Sequence, residues 1–203
     1  MGLLSSILAF FAGWFVKAPT TVDGRKLVVT DGAISVQNSL LFTNSSGMRA
    51  VVGSGPYNHT ASVKFTYQGL TPAISKLADG EIRSQFGLKL RARDACNLIY
   101  VMWRFNSNTL VVSVKSNPAL TTSAQCGDGG YTNILPEVTM LPMVKDSDHT
   151  LTAALSGNTD YLIVTVDGKV VWQGHLGSVA TSVDGPVGVR SDNAQLLFSL
   201  TAN

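Results

Sequence analysis

From Val22 onward, apolar and polar positions alternate with a period of two, and no stretch sustains the 3.6-residue recurrence of an amphipathic helix. Clusters of Gly, Asn, Asp and Pro separate the apolar runs, and these are the residues that turns favour. The pattern predicts strands over residues 26–30, 34–37, 40–43, 49–52, 61–67, 81–93, 98–105, 110–115, 134–140, 149–156, 161–166, 169–175, 185–189 and 195–201. So many short strands with no helix between them predict an all-β domain, a two-sheet antiparallel jelly-roll sandwich. Two hairpins are well signalled. Strands 161–166 and 169–175 flank Asp167-Gly168, a pair suited to a turn that needs positive φ at both central positions. Strands 98–105 and 110–115 flank the polar stretch 106–109. In the first strand of that hairpin, Ile99, Val101, Trp103 and Phe105 share one face, expected to be core, and Tyr100, Met102 and Arg104 share the other.

Leu3 to Val16 carries no charge, and Lys17 and Pro19 end the run, which predicts a short hydrophobic helix. Sixteen residues would span about 24 Å against a hydrocarbon core of roughly 30 Å. Leu3, Leu4, Ile7, Leu8, Phe10, Phe11, Trp14 and Phe15 are therefore expected to dock into a membrane or a partner groove. A cleaved signal peptide is the alternative, since Val16-Lys17-Ala18 has the small-residue spacing of a cleavage site. Against it, no basic residue precedes the run and Pro19 would become the first mature residue. Lys17, Arg25 and Lys26 follow the run, a charge bias that favours a cytoplasmic domain, although long domains translocate largely regardless of charge. The chain divides into a docking helix over 1–18, a linker over 19–26 and a β-sandwich over 27–203, with no internal repeat.

With 203 residues, 45% of them apolar and 14% charged, the chain has room for one well-packed domain and an appendage. That balance excludes a disordered polyelectrolyte. A net charge of +2 argues against nucleic acid as a partner. Cys96 and Cys126 are the only cysteines. The hairpin between them returns the chain toward Cys96, so a disulfide in an oxidising compartment is expected, with two unrelated buried thiols as the alternative.

The C-terminal third contains Leu162-Ile-Val-Thr-Val-Asp-Gly-Lys-Val-Val-Trp172, then Gly185-Pro-Val-Gly-Val-Arg-Ser-Asp192, then Leu196-Leu-Phe-Ser-Leu200. This order resembles the closing strands of concanavalin A-like lectin/glucanase jelly rolls, including laminin-G-like modules. The resemblance implies the fold far more than an activity. Glycosidases of that fold use two carboxylates on one strand face. Here the only glutamates, Glu81 and Glu137, lie on different predicted strands.

His59, His149 and His175 fall in or near turns without a nucleophile motif, and neither cysteine has zinc-ligand spacing. No cofactor or catalytic residue is expected. Asp128, Asp146 and Asp148 lie in loops of the kind that can hold calcium, but Asp is favoured in turns for backbone reasons alone. Two sequons, at Asn44 and Asn58, matter only where the glycosylation machinery exists. The most suggestive feature is basic. Arg83, Lys89, Arg91, Arg93, Arg104 and Lys115 meet a single acidic residue, Asp94, between positions 83 and 115. Alternation would place Lys89, Arg91 and Arg93 on one strand face, and Tyr100, Arg104 and Lys115 on a neighbouring one, as a binding surface for an anionic ligand or simply a solvated face.

Two functions are consistent with these features. The first is a non-catalytic, membrane-attached structural or binding subunit, its jelly roll held against a larger membrane complex such as a photosynthetic or respiratory one. The alternative is an extracytoplasmic carbohydrate-binding or carbohydrate-processing module. In both, the β domain is expected outside the cytoplasm, in the periplasm if the source is bacterial.

Overall fold

The computed structural model describes residues 20–53, 59–156 and 159–203. The expected docking helix, its eight apolar residues and the sequon at Asn58 lie outside the described residues. Among the described residues, no helix is long and apolar enough to cross a membrane.

The strands run in chain order as β1 (Thr20–Thr21), β2 (Leu27–Asp31), β3 (Ser35–Gln37), β4 (Leu40–Thr43), β5 (Gly47–Val52), β6 (Thr60–Leu70), β7 (Gln85–Leu90) and β8 (Leu98–Arg104). They continue as β9 (Thr109–Lys115), β10 (Tyr131–Thr139), β11 (Asp148–Leu155), β12 (Tyr161–Val166), β13 (Lys169–His175), β14 (Gly188–Asp192) and β15 (Ala194–Ala202). Among the described residues, helical structure is limited to a 3-10 turn, Gly24–Lys26, and two single turns, α1 (Ser123–Cys126) and α2 (Ser178–Thr181). All pairing is antiparallel, in two sheets ordered β13-β12-β11-β6-β15-β4-β3, with β1 added to β15, and β10-β9-β8-β7-β14-β5-β2. The molecule is a two-sheet antiparallel jelly-roll sandwich.

The sheets meet over a continuous apolar core, because every second residue of each strand points inward. Phe65 of β6 stands at its centre, with ring centroids 5.1 Å from Phe86 and 6.1 Å from Trp103. Ile99, Val101, Trp103 and Phe105 are all buried there, as their alternation predicts. The Asp167-Gly168 turn has positive φ at both residues, 51° and 77°. The stretch expected to be a linker enters the sandwich: Thr20 pairs with Ala202, and Val22 is buried in the core.

The two sheets differ on their outer faces. β11, β12 and β15 alternate buried and partly exposed residues, as strands do with one face in water. β7 and β14 are buried at every position and β8 and β9 nearly so. Over these four central strands the outer face of the seven-stranded sheet is therefore covered, while β10 and β2 at its edges stay largely exposed.

Two strand expectations need correction. Residues 81–93 form a strand only over Gln85–Leu90, because Arg91 takes a left-handed φ of 47° that ends the extended run. The strand expected at 185–189 is instead Gly188–Asp192, which moves Arg190 and Asp192 into the sheet.

Candidate ligand-binding cleft

Pairing lines up the outward side chains of the seven-stranded sheet in rows. One row joins Arg49 to Arg190, Gly87, Met102 and Val111. A second joins Asp192, Gln85 and Arg104, and a third joins Lys89, Tyr100, Ser113 and Asn133. Lys115 stands opposite Tyr131 at the margin. Above this floor lies a cleft of about 320 Å³, lined by most of these residues together with Asp79, Arg83, Ser123 and Asp128.

Two walls cover the floor, each fixed by a buried side-chain amide. Asn193 donates to the carbonyls of Ser75 (2.9 Å) and Arg83 (3.0 Å) and accepts from the Ser75 N–H, which holds the segment through residues 75–83. Asn97 donates to the Leu120 carbonyl (2.9 Å) and to Asp94 (2.8 Å), and accepts from the Asn117 N–H. That second wall is closed by a disulfide between Cys96 and Cys126, the pairing expected from the hairpin.

Asp192, 1% exposed, organises the charges beneath the cleft. Its carboxylate accepts from Gln85 Nε2 and Arg190 Nε, each at 2.7 Å, and from Arg49 at 3.5 Å. Arg49 also pairs with Asp31. Burial disfavours the Arg190 charge, but Asp192 beside it outweighs that and holds the guanidinium firmly protonated. Arg190 lies 5.1 Å over the Tyr100 ring and donates to the Tyr131 hydroxyl at 3.2 Å. The Tyr100 and Tyr131 rings stack at 6.0 Å, and the Lys115 ammonium sits 4.8 Å over the Tyr131 ring. Burial pushes the Tyr100 hydroxyl up to about 12, so it is neutral at physiological pH.

The remaining cations are less well satisfied. Lys89 is 4% exposed, and burial lowers its ammonium to about 8, with Arg49 and Arg190 adding repulsion. Lys115 donates to the Gly127 carbonyl at 2.8 Å, and burial lowers its ammonium too. Arg104 approaches Glu137 only at 3.8 Å, and its buried Nε has no hydrogen-bond partner.

Of the binding-face residues singled out from sequence, Lys89, Tyr100, Arg104 and Lys115 do share this face. Arg91 and Arg93 do not, because the backbone turn at Arg91 breaks the alternation. Arg91 instead donates to the carbonyls of Ala180 (2.9 Å) and Thr159 (3.2 Å), and Arg93 pairs with Asp94 at 3.3 Å. Sequence reading missed Arg49, Gln85, Tyr131 and Arg190. The signal for Arg190 was present, since Val187 and Val189 alternate inward and so direct Arg190 outward.

Neither Glu81 nor Glu137 lines the cleft; the carboxylates that do are Asp79, paired with Arg83, and Asp128. Asp146 and Asp148 are elsewhere: Asp148 opens β11 and accepts from Thr66, and in the turn before it the Asp146 N–H donates to the Tyr67 carbonyl. Among the described residues, no cluster of three His, Cys, Asp or Glu is placed to hold a metal. His149 is better enclosed than its turn position suggested: its ring packs 5.0 Å from Trp103. Its Nδ1 lies 2.8 Å from Asp167 and its Nε2 3.2 Å from the Ser147 hydroxyl. Those distances resemble a hydrolytic triad, but Ser147 donates its proton to the Val144 carbonyl. Asp167 also accepts from the Thr150 N–H. The group fastens two turns together.

No known family model matches the chain, and no curated protein matches its sequence. Solved structures do match in shape. The carbohydrate-binding module CBM66 from Bacillus subtilis superposes with a TM-score of 0.62 at 14% identity, over 85% of this chain and 91% of that one. The fold is that of the lectin/glucanase jelly rolls. A glycosidic hydrolase (TM-score 0.54, 12% identity, 94% and 98% of the two chains) has the same concanavalin A-like fold. So does the Crh5 transglycosylase solved with NAG (0.53, 13%, 91% and 83%). At these identities the likeness establishes the jelly roll alone.

Proposed function

We propose that this lectin-like jelly roll is a non-catalytic carbohydrate-binding module that takes its ligand in the cleft over the seven-stranded sheet. The observation that carries this reading is the covered outer face, where Tyr131, 38% exposed, offers an aromatic ring beside Gln85, Ser113 and Asn133. A flat ring packs against the C–H face of a sugar while neighbouring amides and hydroxyls orient its hydroxyl groups. The occurrence of carbohydrate-binding modules among the structural neighbours supports the same reading. The disulfide supports placing the domain outside the reducing cytosol. The expectation of a membrane assembly rested on residues 1–18, and no contact among the described residues adds to it.

Affinity electrophoresis of the full chain against a panel of soluble polysaccharides tests the reading. At least one polymer should retard the protein, and Tyr131→Ala should weaken that binding by more than tenfold, the loss of about 1.4 kcal/mol. Retardation that survives Tyr131→Ala unchanged would place the ligand elsewhere, and no retardation by any polymer would overturn the function.

A further inference from the structure

We propose that the glycan bound in this cleft is anionic, its carboxylate or sulfate group seated at Arg104 with Arg83 and Arg190 on either side. This rests on the carbohydrate-binding reading and specifies its ligand. Five cationic side chains line the cleft (Arg49, Arg83, Arg104, Lys115 and Arg190) against two acidic ones, Asp79 and Asp128. Guanidinium and ammonium groups only donate hydrogen bonds. A neutral sugar hydroxyl both donates and accepts, so a site built for it must supply acceptors as well. Two of the nearby carboxylates are already committed: Asp192, beneath the floor, receives Gln85, Arg190 and Arg49, and Asp79 receives Arg83, so Asp128 is the one lining carboxylate left against the cations. A carboxylate or sulfate, which only accepts, matches what is left.

Two unmet needs in the protein point the same way. The Arg104 Nε is buried without a partner, a costly state for a charged donor. The charges acting on Arg104 are Arg83 and Arg190, both of its own sign, against Glu137, paired with it at 3.8 Å, and Asp79. Lys89, in the floor, is a buried cation whose two charged neighbours are also cationic. An anion entering the cleft would meet the accessible part of the Arg104 side chain, which is 24% exposed and lines the cleft, in a charge-assisted contact. It would also relieve the mutual repulsion. The stacked Tyr100–Tyr131 pair, at the Lys115 side of the floor, is then positioned for a neighbouring sugar ring of the same chain.

The test compares polygalacturonate, alginate and dextran sulfate with neutral dextran and with polygalacturonate whose carboxyl groups have been reduced to alcohols, all against the full wild-type chain. Binding should be confined to the charged polymers and weaken as salt rises. The polyuronate arm and the sulfate arm show which acidic group is preferred. Reduction of the carboxyl groups should cost more than tenfold if the preferred group is carboxylate. Arg104→Gln should lose more than tenfold in affinity for the charged polymer, and Arg104→Lys should recover part of it. If Arg104→Gln fails to fold, the comparison of native with reduced polymer on the wild-type chain still decides. Equal or tighter binding of the neutral polymers overturns the anionic assignment and leaves the carbohydrate reading standing. Binding of single-stranded nucleic acid in preference to every polysaccharide overturns both.

Discussion

Lys89 sits almost fully buried among Tyr100, Arg49 and Arg190, and its ammonium is lowered from 10.5 to about 8, first by burial and then by the two arginines. Below pH 8 the folded and unfolded chains both carry this charge, and keeping it buried costs about 3 kcal/mol. Between pH 8 and 10.5 the folded lysine is neutral while the unfolded one stays charged, so the cost fades as pH rises. Lys89→Met should therefore stabilise the ligand-free protein at pH 7 in chemical denaturation, and its advantage over the wild type should shrink steadily from pH 8 to 10.5. A difference that stays constant across that window would show that the ammonium is not paying a burial penalty. Asp192 is the converse case. Removing its carboxylate strands Arg190 without a counter-charge, and Asp192→Ala should destabilise by about 3–5 kcal/mol. At this scale, parity along a strand made Lys89, Tyr100, Arg104 and Lys115 recognisable from sequence. Alternation also signalled the outward direction of Arg190, but the approach of Arg49 and Arg190 to Tyr100 was hidden, because it depends on which strands pair, and β5 and β14 are far apart in the chain from β8.

The floor of the cleft depends on how closely β7 and β8 approach, and at Gly87 that approach leaves no room for a side chain. A Cβ at this position would lie 2.0 Å from the Val101 carbonyl oxygen and 2.9 Å from Met102 Sδ. The methionine can turn aside, but the backbone carbonyl cannot. Gly87→Ala should therefore separate the two strands, lower stability by about 1–3 kcal/mol and weaken ligand binding with it. Thermal unfolding and affinity electrophoresis of the same variant check both, and a variant with wild-type stability and affinity would refute the close approach. Hairpins were the most legible elements, because Asp167-Gly168 announces its own geometry between two alternating runs. Strand ends were the least legible. Arg91 looks like one more member of an alternating basic series, and nothing in its side chain signals the positive φ that sends it away to the Thr159 and Ala180 carbonyls. The covering walls were equally hidden, since the buried hydrogen bonds of Asn97 and Asn193 come from residues that sequence alone assigns to turns.

Across the whole molecule, one covalent link determines whether the cleft keeps its second wall. Cys96 precedes β8 and Cys126 ends α1, 30 positions later, so the disulfide ties the Ser123–Asp128 wall to the edge of the cleft floor. Closing a loop of that length contributes about 3.5 kcal/mol in the chain-entropy model, and for a domain of this size that corresponds to a melting shift of roughly 10 °C. The effect is not confined to stability. The Lys115 ammonium is held over the Tyr131 ring partly by its bond to the Gly127 carbonyl, one residue beyond Cys126. Reduction frees that carbonyl to move, so the reduced protein, and the Cys96→Ser/Cys126→Ser variant at a temperature where it remains folded, should bind its glycan more weakly than the oxidised protein. Intact mass with and without reductant, followed by alkylation of the native protein, determines whether the bond is present in the protein as its source makes it. Two thiols alkylated in the native, unreduced protein would remove the covalent support for the wall. They would also remove the main reason for placing the domain outside the cytosol, leaving the basic residues that follow position 16 as the only indication of its side. An oxidised protein whose melting temperature and glycan affinity both fall on reduction would show instead that the cleft depends on an oxidising compartment.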